Sequence, residues 1–197
     1  MKKKRLLCDV DGVLIKWTSN LPFFCMENGI DHRHVLEYYN QYDHADPCEM
    51  FKVSNRETAY DLIRRYNAGK YGRYLAPYSD AVEVIPRLAQ HVELVIITSF
   101  GSSLDHWLNR KFNIEAFFPG CFSDIIVVDV GESKADIVRD MFADPTYDTI
   151  GMVDDQRFNL TACPDGKAFF MNREHPETDI PDMYELEKEV MRRVNSK

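Results

Sequence analysis

The stretch LLCDVDGV, residues 6–13, places two acids where a short apolar strand is expected to end. The residues that lead into it predict a strand over 4–10. Residues i and i+2 of a strand face the same way, so Asp9 and Asp11 point together. Gly12 then permits a backbone conformation closed to other residues, and the chain can turn sharply away. The two acids are either a turn that stops the strand or a pair of working groups held at its tip.

Downstream of this stretch, short β-rich apolar runs alternate with amphipathic segments. Nearly continuous apolar runs are typical of strands buried on both faces, as in a parallel sheet covered by helices. The alternation predicts an α/β fold with a doubly wound parallel sheet. Further strands are predicted over 92–98, 124–128, 149–153 and 167–171, and helices over 79–90, 102–112, 133–142, 156–163 and 182–194.

One region breaks this alternation, since the segment between 17 and 78 contains three helical patterns and no convincing strand. The first pattern follows Asn20, the second follows Asp31, and the third opens with a capping box at 54–57 (SNRE). A small helical insert is therefore predicted after the first strand. The predicted division of the chain is a core domain formed by 1–16 and 79–197, with a helical cap formed by 17–78.

Composition narrows the classes of function. The chain has 197 residues, a net charge of −8 and a pI near 5.2, and an acidic chain disfavours an extended nucleic-acid surface. Five scattered cysteines without a C-x-x-C pair predict neither a disulfide framework nor a zinc site. No apolar run approaches the ~20 residues of a membrane span, and no leader-like run follows the basic start MKKKR. We therefore expect a cytoplasmic protein without a membrane partner; its oligomeric state is not readable from the sequence.

Polar residues also follow the other predicted strands. Thr98 and Ser99 end the second strand, Asp154 and Asp155 end the fourth, and Lys134 opens the helix after the third. The carboxyl ends of the strands in an open parallel sheet border one ligand crevice. Acids, a hydroxyl group and an amine from four strands are therefore expected at a single site.

The predicted site carries an excess of negative charge. Two carboxylates 4 Å apart repel by about 4 kcal/mol at an effective dielectric of ~20, and four such acids repel more strongly. A cluster of this kind favours a hard divalent cation, and all-oxygen ligation beside a phosphate suits Mg²⁺. Lys134 at a helix N-terminus opposes the helix dipole. An anion between Lys134 and Mg²⁺ would reconcile these charges.

Four short motifs carry a resemblance to a known family. They are DVDGV at 9–13, the apolar run that ends in Thr98, the single Lys134, and GMVDD at 151–155. In this order, and each at a strand end, they resemble the motifs of haloacid dehalogenase (HAD) superfamily phosphatases. The resemblance implies a Rossmann-like HAD core with a cap over the site. It also implies a Mg²⁺-dependent phosphomonoesterase that acts through an aspartyl-phosphate.

The resemblance implies roles for the residues that contact substrate. Asp9 would be the nucleophile, and Asp11 would be the general acid for the leaving alcohol and then the base for water. Dehalogenase members lack this second acid, so Asp11 favours a phosphatase or, less often, a phosphomutase. Thr98, as a catalytic residue, would bind the phosphoryl oxygens together with the backbone around Ser99 and Gly12.

The resemblance also assigns the metal to the acidic cluster. Asp9, the backbone carbonyl of Asp11 and Asp154 would hold Mg²⁺, and Asp155 would help directly or through water. Lys134 would neutralise the phosphate and the nucleophile, which makes it the fourth catalytic residue.

The substrate implied is a small phosphate ester, and the aromatic-rich insert suggests its class. Phe23 or Phe24 would stack on a base, and the insert is loosely similar to that of the 5′(3′)-deoxyribonucleotidases. A nucleoside 5′-monophosphate is therefore the first prediction. Lys70 and Arg73 either reach a second anionic group or form a solvated hinge. Three alternatives stay open: a sugar-phosphate phosphatase, a phosphatase of nucleic-acid ends, and a non-catalytic binding protein with the HAD fold.

Overall fold

The computed structural model describes residues 2–42, 45–173 and 177–196. Its strands form a five-stranded parallel sheet and a separate two-stranded antiparallel ribbon. None of the helices in these ranges has the length and the apolar character of a membrane span. The strands are β1 (Lys3–Cys8), β2 (Ile15–Lys16), β3 (Ala76–Pro77), β4 (Glu93–Ser99), β5 (Phe122–Val128), β6 (Tyr147–Asp154) and β7 (Ala168–Phe170).

The central sheet has the strand order β5-β4-β1-β6-β7. The chain moves from β1 to one edge of the sheet, crosses back and finishes at the other edge. This reversal beside β1 confirms the predicted doubly wound parallel sheet, and it opens a crevice at the carboxyl end of β1. The strands predicted over 4–10, 92–98, 124–128, 149–153 and 167–171 correspond to β1, β4, β5, β6 and β7 within two residues at each end.

Helices connect these strands and cover both faces of the sheet. The helices predicted in the core and in the insert are all present, although several boundaries differ. They are α1 (Leu21–Glu27), α2 (His32–Gln41), α3 (Pro47–Phe51), α4 (Arg56–Ala68), α5 (Lys70–Arg73), α6 (Ser79–Leu88), α7 (Leu104–Phe117), α8 (Ala135–Ala143), α9 (Arg157–Leu160) and α10 (Met183–Asn195), and a 3₁₀ turn spans Trp17–Asn20.

Two core helices differ from the prediction at their ends. The helix predicted over 102–112 begins later, because Ser103 is its N-cap and accepts a hydrogen bond from the His106 N–H. It continues to Phe117, because the first proline after its start is Pro119, and helices usually end at or before the residue that precedes a proline. The helix predicted over 156–163 ends early, at Leu160.

The hydrophobic core lies on both sides of the central sheet, as alternate residues of β1 show. Leu6 and Cys8 are fully buried in a cluster that includes Val84 of α6. Leu7 is fully buried in a second cluster, with Val138 of α8. Burial of one such aliphatic side chain contributes about 1.5–3 kcal/mol relative to exposure. The second half of β1, from Leu6 to Cys8, meets solvent on neither face and is apolar up to the acids at its carboxyl end.

The helical insert is connected to the core through the ribbon of β2 and β3. Ile15 pairs with Pro77, and Lys16 pairs with Ala76, so the chain enters and leaves the insert side by side. The expectation that the segment 17–78 contains no strand is therefore wrong at Ala76–Pro77. A two-residue strand has no detectable period, and its partner lies at the other end of the insert. The division of the chain into two domains stays a prediction.

Within the insert, α1, α2 and α4 are the three predicted helices. The helices α3 and α5 have only five and four residues, too few for a helical period to appear in the sequence. The N-cap of α4 is Asn55 and not Ser54, so the predicted capping box is wrong. The Asn55 side chain accepts hydrogen bonds from the N–H groups of Glu57 at 2.8 Å and Thr58 at 3.2 Å. Asparagine is as good an N-cap as serine, and the sequence alone does not separate neighbouring candidates.

Candidate active site

Three buried aspartates meet at the carboxyl ends of β1 and β6. The two strands pair in parallel, with Cys8 beside Val153, so the residues that follow them lie side by side. One carboxylate oxygen from each of Asp9, Asp154 and Asp155 lies within 4.8 Å of the others. The structure thus brings together acids that the sequence places at the ends of two separate strands.

Lys134 lies between two of these acids and is itself almost fully buried. Its Nζ is 2.8 Å from Asp9 Oδ1 and donates to Asp154 Oδ2 at 2.9 Å. Burial lowers the pKa of Lys134, but the charges of Asp154 and Asp9 outweigh it and hold the pKa above its ordinary value. The ammonium group therefore stays charged and neutralises part of the cluster.

Asp154 is fixed by the segment that follows β6. Its Oδ1 accepts hydrogen bonds from the Gln156 N–H at 2.9 Å and from Asn159 Nδ2 at 3.0 Å. Both oxygens of Asp154 are thus held, one by this segment and one by Lys134. Asn159 is not predicted from the sequence, because nothing in its local pattern separates it from a surface asparagine.

The cluster contains more acid than Lys134 can neutralise. Burial raises the pKa of Asp154 to about 6, although the charge of Lys134 opposes the shift. Burial, together with the charges of Asp9 and Asp154, holds the pKa of Asp155 well above its ordinary value. Three buried carboxylates with oxygens this close, and with too little positive charge beside them, fit a hard divalent cation such as Mg²⁺.

Gly12 allows the loop after β1 to approach Asp155 closely. Its φ is +75°, and a Cβ atom at this position would lie 2.2 Å from Asp155 Oδ2. Its N–H donates to the Ile15 carbonyl at 2.9 Å, so this N–H serves the turn itself. Glycine is therefore required both by the backbone conformation and by the space that the carboxylate occupies.

Asp11 lines the same cavity as Asp9 and has a buried partner on α7. Arg110, which is fully buried, contacts Asp11 Oδ2 through Nη2. Burial raises the pKa of Asp11 to about 6, while Arg110 lowers the pKa and Asp9 raises it. A carboxyl group that titrates close to neutral pH can both donate and accept a proton. Arg110 is not predicted from the sequence, since an arginine on an amphipathic helix usually indicates a solvated face.

The residues at the end of β4 have different surroundings. Ser99 lines the cavity, and its Oγ donates to a carbonyl of the loop after β5 at 3.0 Å. Thr98 is fully buried, and its Oγ1 has no hydrogen-bond partner within the described part of the chain. The N–H groups of Phe100 and Gly101 donate to the Val128 carbonyl at 3.0 and 3.1 Å. The backbone after Ser99 therefore serves the fold, and the Thr98 hydroxyl is left with a free hydrogen-bonding capacity.

A cavity of about 350 Å³ lies between these side chains and the insert. Asp9, Asp11, Lys134 and Asp155 form its polar end. The opposite wall is mostly aromatic and aliphatic, and it comes chiefly from the insert. That wall is formed by Trp17, Tyr39, Pro47, Met50, Tyr60 and Ile63, with Phe158 contributed by the core.

Four residues that the sequence analysis linked to substrate lie elsewhere. Phe24 is buried in the core of the insert, and Phe23 is 58% exposed on α1. Lys70 forms an ion pair with Glu27 at 3.2 Å, and the guanidinium carbon of Arg73 lies 4.2 Å from a ring centroid on α7. None of the four is among the described residues that line the cavity. We therefore assign them no part in the site.

Comparison of the sequence with known proteins finds a relative in a bacteriophage. The chain is 35% identical over 153 residues to an uncharacterized 32.4 kDa protein in the Gp30-rIII intergenic region of Enterobacteria phage T4. The match covers 78% of this chain and 54% of the phage protein, so the chain spans about half the length of that relative. No family model matches the chain.

Comparison with solved structures identifies the architecture. The HAD-hydrolase YfnB from Bacillus subtilis, bound to magnesium, matches 97% of this chain and 100% of its own with a TM-score of 0.60 and 18% identity. L-2-haloacid dehalogenase from Xanthobacter autotrophicus, with chloropropionic acid covalently bound, matches 97% and 99% of the two chains with a TM-score of 0.60 and 13% identity. The haloacid dehalogenase-like protein SP0104 from Streptococcus pneumoniae matches 85% and 82% with a TM-score of 0.59 and 13% identity.

Two of these matches cover 97% of the chain, and they therefore include both the parallel sheet and the helical insert. The chain has the fold of the haloacid dehalogenase superfamily hydrolases.

Proposed function

We propose that this protein is a Mg²⁺-dependent phosphomonoesterase that acts through an aspartyl-phosphate. The observation that carries the proposal is the position of Asp9 beside both Lys134 and a second acid, Asp11, at one end of the cavity. A nucleophilic carboxylate, a fixed cation and a proton donor are the groups that such a transfer needs.

The first half of the reaction transfers the phosphoryl group to the protein. A carboxylate oxygen of Asp9 attacks phosphorus, and the bond from phosphorus to the leaving oxygen breaks. The leaving oxygen takes the proton of Asp11, so the alcohol departs neutral. The Lys134 ammonium group offsets the negative charge of the substrate phosphate, which lies beside the Asp9 carboxylate.

The second half returns the protein to its starting state. The Asp11 carboxylate accepts a proton from water, whose oxygen attacks phosphorus. The bond between phosphorus and the Asp9 oxygen breaks, and inorganic phosphate is released. Asp9 is again a carboxylate and Asp11 again carries a proton, so the cycle is balanced.

The acidic cluster has the donor set for the proposed metal. Asp9, Asp154 and Asp155, with the backbone carbonyl of Asp11, would hold Mg²⁺. The bound cation would neutralise charge on the phosphoryl oxygens. Its charge would also relieve the repulsion among the buried carboxylates.

The shape and lining of the cavity favour a small ester with a flat or apolar leaving group. Its volume of about 350 Å³ lies in the range of small-molecule sites. Trp17, Tyr39 and Tyr60 on its wall offer rings on which a base can stack. We therefore propose a nucleoside 5′-monophosphate as the substrate, with a sugar phosphate as the alternative. A phosphatase of nucleic-acid ends is disfavoured by the net charge of −8.

The chemical step is tested with 4-nitrophenyl phosphate, in the presence of Mg²⁺ and in EDTA. Asp9→Asn is expected to reduce kcat by on the order of 10³-fold or more, because the amide is a poor nucleophile. Asp124→Asn, an exposed acid on β5, is the matched control and should retain activity. Equal turnover by Asp9→Asn and the unaltered protein would remove the nucleophile assignment. If the unaltered protein hydrolyses no ester at all, the non-catalytic binding protein becomes the better explanation.

The substrate is tested with a panel of nucleoside monophosphates, sugar phosphates and 2-chloropropionate. We expect the highest kcat/KM for a nucleoside 5′-monophosphate, and a loss of that preference in Trp17→Ala and Tyr39→Ala. A flat response to nucleotides with a preference for sugar phosphates would overturn the substrate assignment. Release of chloride from 2-chloropropionate would instead indicate dehalogenase chemistry.

A further inference from the structure

Arg110 is a buried charge that the proposed mechanism has not used. It lies within α7, and its guanidinium group is fully enclosed by protein. Nη2 contacts Asp11 Oδ2, while Nε and Nη1 have no hydrogen-bond partner among the residues that the structure describes. A buried guanidinium with so few partners is costly to the fold. Its position therefore calls for an explanation other than stability.

The neighbours of Arg110 on the buried face of α7 make a different set of contacts. His106 Nε2 hydrogen-bonds to the Arg64 carbonyl at 2.9 Å, and Asn113 Nδ2 donates to the Arg73 carbonyl at 2.8 Å. Asn109 likewise donates to backbone carbonyls of the insert. These side chains join the insert to the core. Arg110 differs from them because its polar contact goes to an acid of the site.

The geometry fixes one oxygen of Asp11 and leaves the other free. The guanidinium carbon of Arg110 lies 3.8 Å from the centroid of the Phe100 ring, and Phe100 is itself fully buried. A guanidinium stacked in this way has a defined plane, so the position of Asp11 Oδ2 is defined as well. Oδ1 is also buried, and it has no hydrogen-bond partner in the described ranges. Asp11 lines the cavity beside Asp9.

We propose that Arg110 is a positioning residue, which holds Asp11 Oδ2 so that Oδ1 faces the leaving oxygen of the substrate. The proposal rests on the phosphomonoesterase function, in which Asp11 gives its proton to the leaving oxygen as the bond to phosphorus breaks. Arg110 keeps its own proton, since a guanidinium does not deprotonate in proteins. It therefore acts only through Asp11, by holding the carboxyl group within hydrogen-bond reach of the reacting atom.

The test compares two esters of nearly equal shape and different leaving groups. The leaving group of 4-nitrophenyl phosphate departs readily without a proton, whereas that of 4-nitrobenzyl phosphate needs one. The value of kcat/KM reports only the first half of the reaction, in which the leaving group departs. In Arg110→Gln and Arg110→Lys, kcat/KM for the benzyl ester is expected to fall by about 10- to 100-fold. For the phenyl ester the expected change is less than about 3-fold, because little proton transfer is needed.

A second comparison asks whether Arg110 acts through Asp11. In an Asp11→Asn background, Arg110→Gln is expected to cause little further loss of kcat/KM for the benzyl ester, because the group that it positions is already absent. This double variant also removes both members of the buried pair, so it remains informative if Arg110→Gln alone does not fold. Arg5→Gln is the matched control, since Arg5 is buried at the opposite end of β1 and pairs with Asp144 at 3.3 Å. Any loss that Arg5→Gln causes should be the same for both esters.

The outcomes separate the two proposals. If the unaltered protein hydrolyses both esters and the Arg110 variants lose the same factor on each, Arg110 is structural only and the positioning role is wrong. An equal further loss in the Asp11→Asn background has the same meaning. If the unaltered protein hydrolyses neither ester, the phosphomonoesterase function itself fails, and the comparison of leaving groups does not arise.

Discussion

Gly12 occupies a position where a side chain would collide with the proposed metal site. Its positive φ is a conformation that costs a residue with a side chain about 1–2 kcal/mol. The more specific constraint is Asp155, whose carboxylate fills the space where a Cβ atom would lie. Gly12 and Asp155 are far apart in the sequence, yet the position of the Asp155 carboxylate leaves no room for a side chain at residue 12.

Gly12→Ala is therefore expected to weaken Mg²⁺ binding by about 10-fold or more, because the displaced Asp155 carboxylate no longer orients the site. Calorimetric titration with Mg²⁺ measures the change. Gly120→Ala is the matched control, since Gly120 has a similar φ of +68° and no atom within 4 Å of its added Cβ. Equal Mg²⁺ affinities for Gly12→Ala and the unaltered protein would contradict this account of the glycine.

The residues of the site differ in how far local sequence reveals them. Asp9, Asp154 and Lys134 follow or flank apolar strands, and a parallel sheet brings such positions to one edge. Arg110 and Asn159 have no such signal, because the property that matters is their burial beside an acid. Phe23 and Phe24 show the converse: an aromatic residue near the first strand is a weak signal, and neither lines the cavity.

At the scale of elements, α7 is the helix that joins the insert to the core. Asn109, which is buried on this helix, donates through Nδ2 to the carbonyls of Asn67 and Ala68 at 2.9 Å and of Gly69 at 3.2 Å. These carbonyls lie at the C-terminal end of α4, where a helix leaves its last acceptors without partners. A core side chain thus caps a helix of the insert.

Asn109→Asp tests this connection with almost no change in shape. The substitution removes the donor and places a carboxylate against carbonyl oxygens, so we expect a loss of about 1–3 kcal/mol in the free energy of unfolding. Urea unfolding measures the loss, and Asn40→Asp, at an exposed position on α2, is the control. If Asn109→Asp and the unaltered protein have equal free energies of unfolding at neutral pH, the Asn109 hydrogen bonds do not stabilise the contact between the insert and the core.

At the scale of the whole molecule, the fold brings negatively charged groups together at the site, where they repel one another. The central sheet brings four acids to one edge, against the buried cations Lys134 and Arg110. Burial holds the pKa of Asp155 well above its ordinary value, so the folded chain keeps a proton that the unfolded chain releases. In the absence of metal, this acid therefore makes the protein less stable as the pH rises above about 4.

Asp155→Asn should remove this dependence. In EDTA, the variant is expected to be more stable than the unaltered protein at about pH 7, and the difference should shrink toward about pH 3, where Asp155 is mostly protonated in both states. Mg²⁺ should reverse the order, since a ligand at 100 times its Kd adds about 2.7 kcal/mol to the form that binds it. Urea unfolding at both pH values, with Asp124→Asn as the exposed control, measures these differences. A stability difference that does not change with pH would contradict the prediction.

The sheet and the acids at its edge are predictable from local sequence patterns. Apolar runs buried on both faces, strands that alternate with helices, and polar residues at strand ends are each properties of a few consecutive residues. The same patterns were sufficient to predict a helical insert and most of its helices. They do not depend on which elements come into contact.

The tertiary structure decided the contacts between elements. Arg110 meets Asp11 across 99 residues of sequence, β2 meets β3 across the insert, and Tyr60 of the insert lines the same cavity as Asp9 of the core. None of these pairs follows from periodicity, because each depends on how two separately formed surfaces pack and on which side chains their packing buries. Local sequence thus placed the proposed nucleophile and metal ligands at one edge of the sheet, while tertiary packing supplied the partner of the proton donor and the wall that faces the substrate.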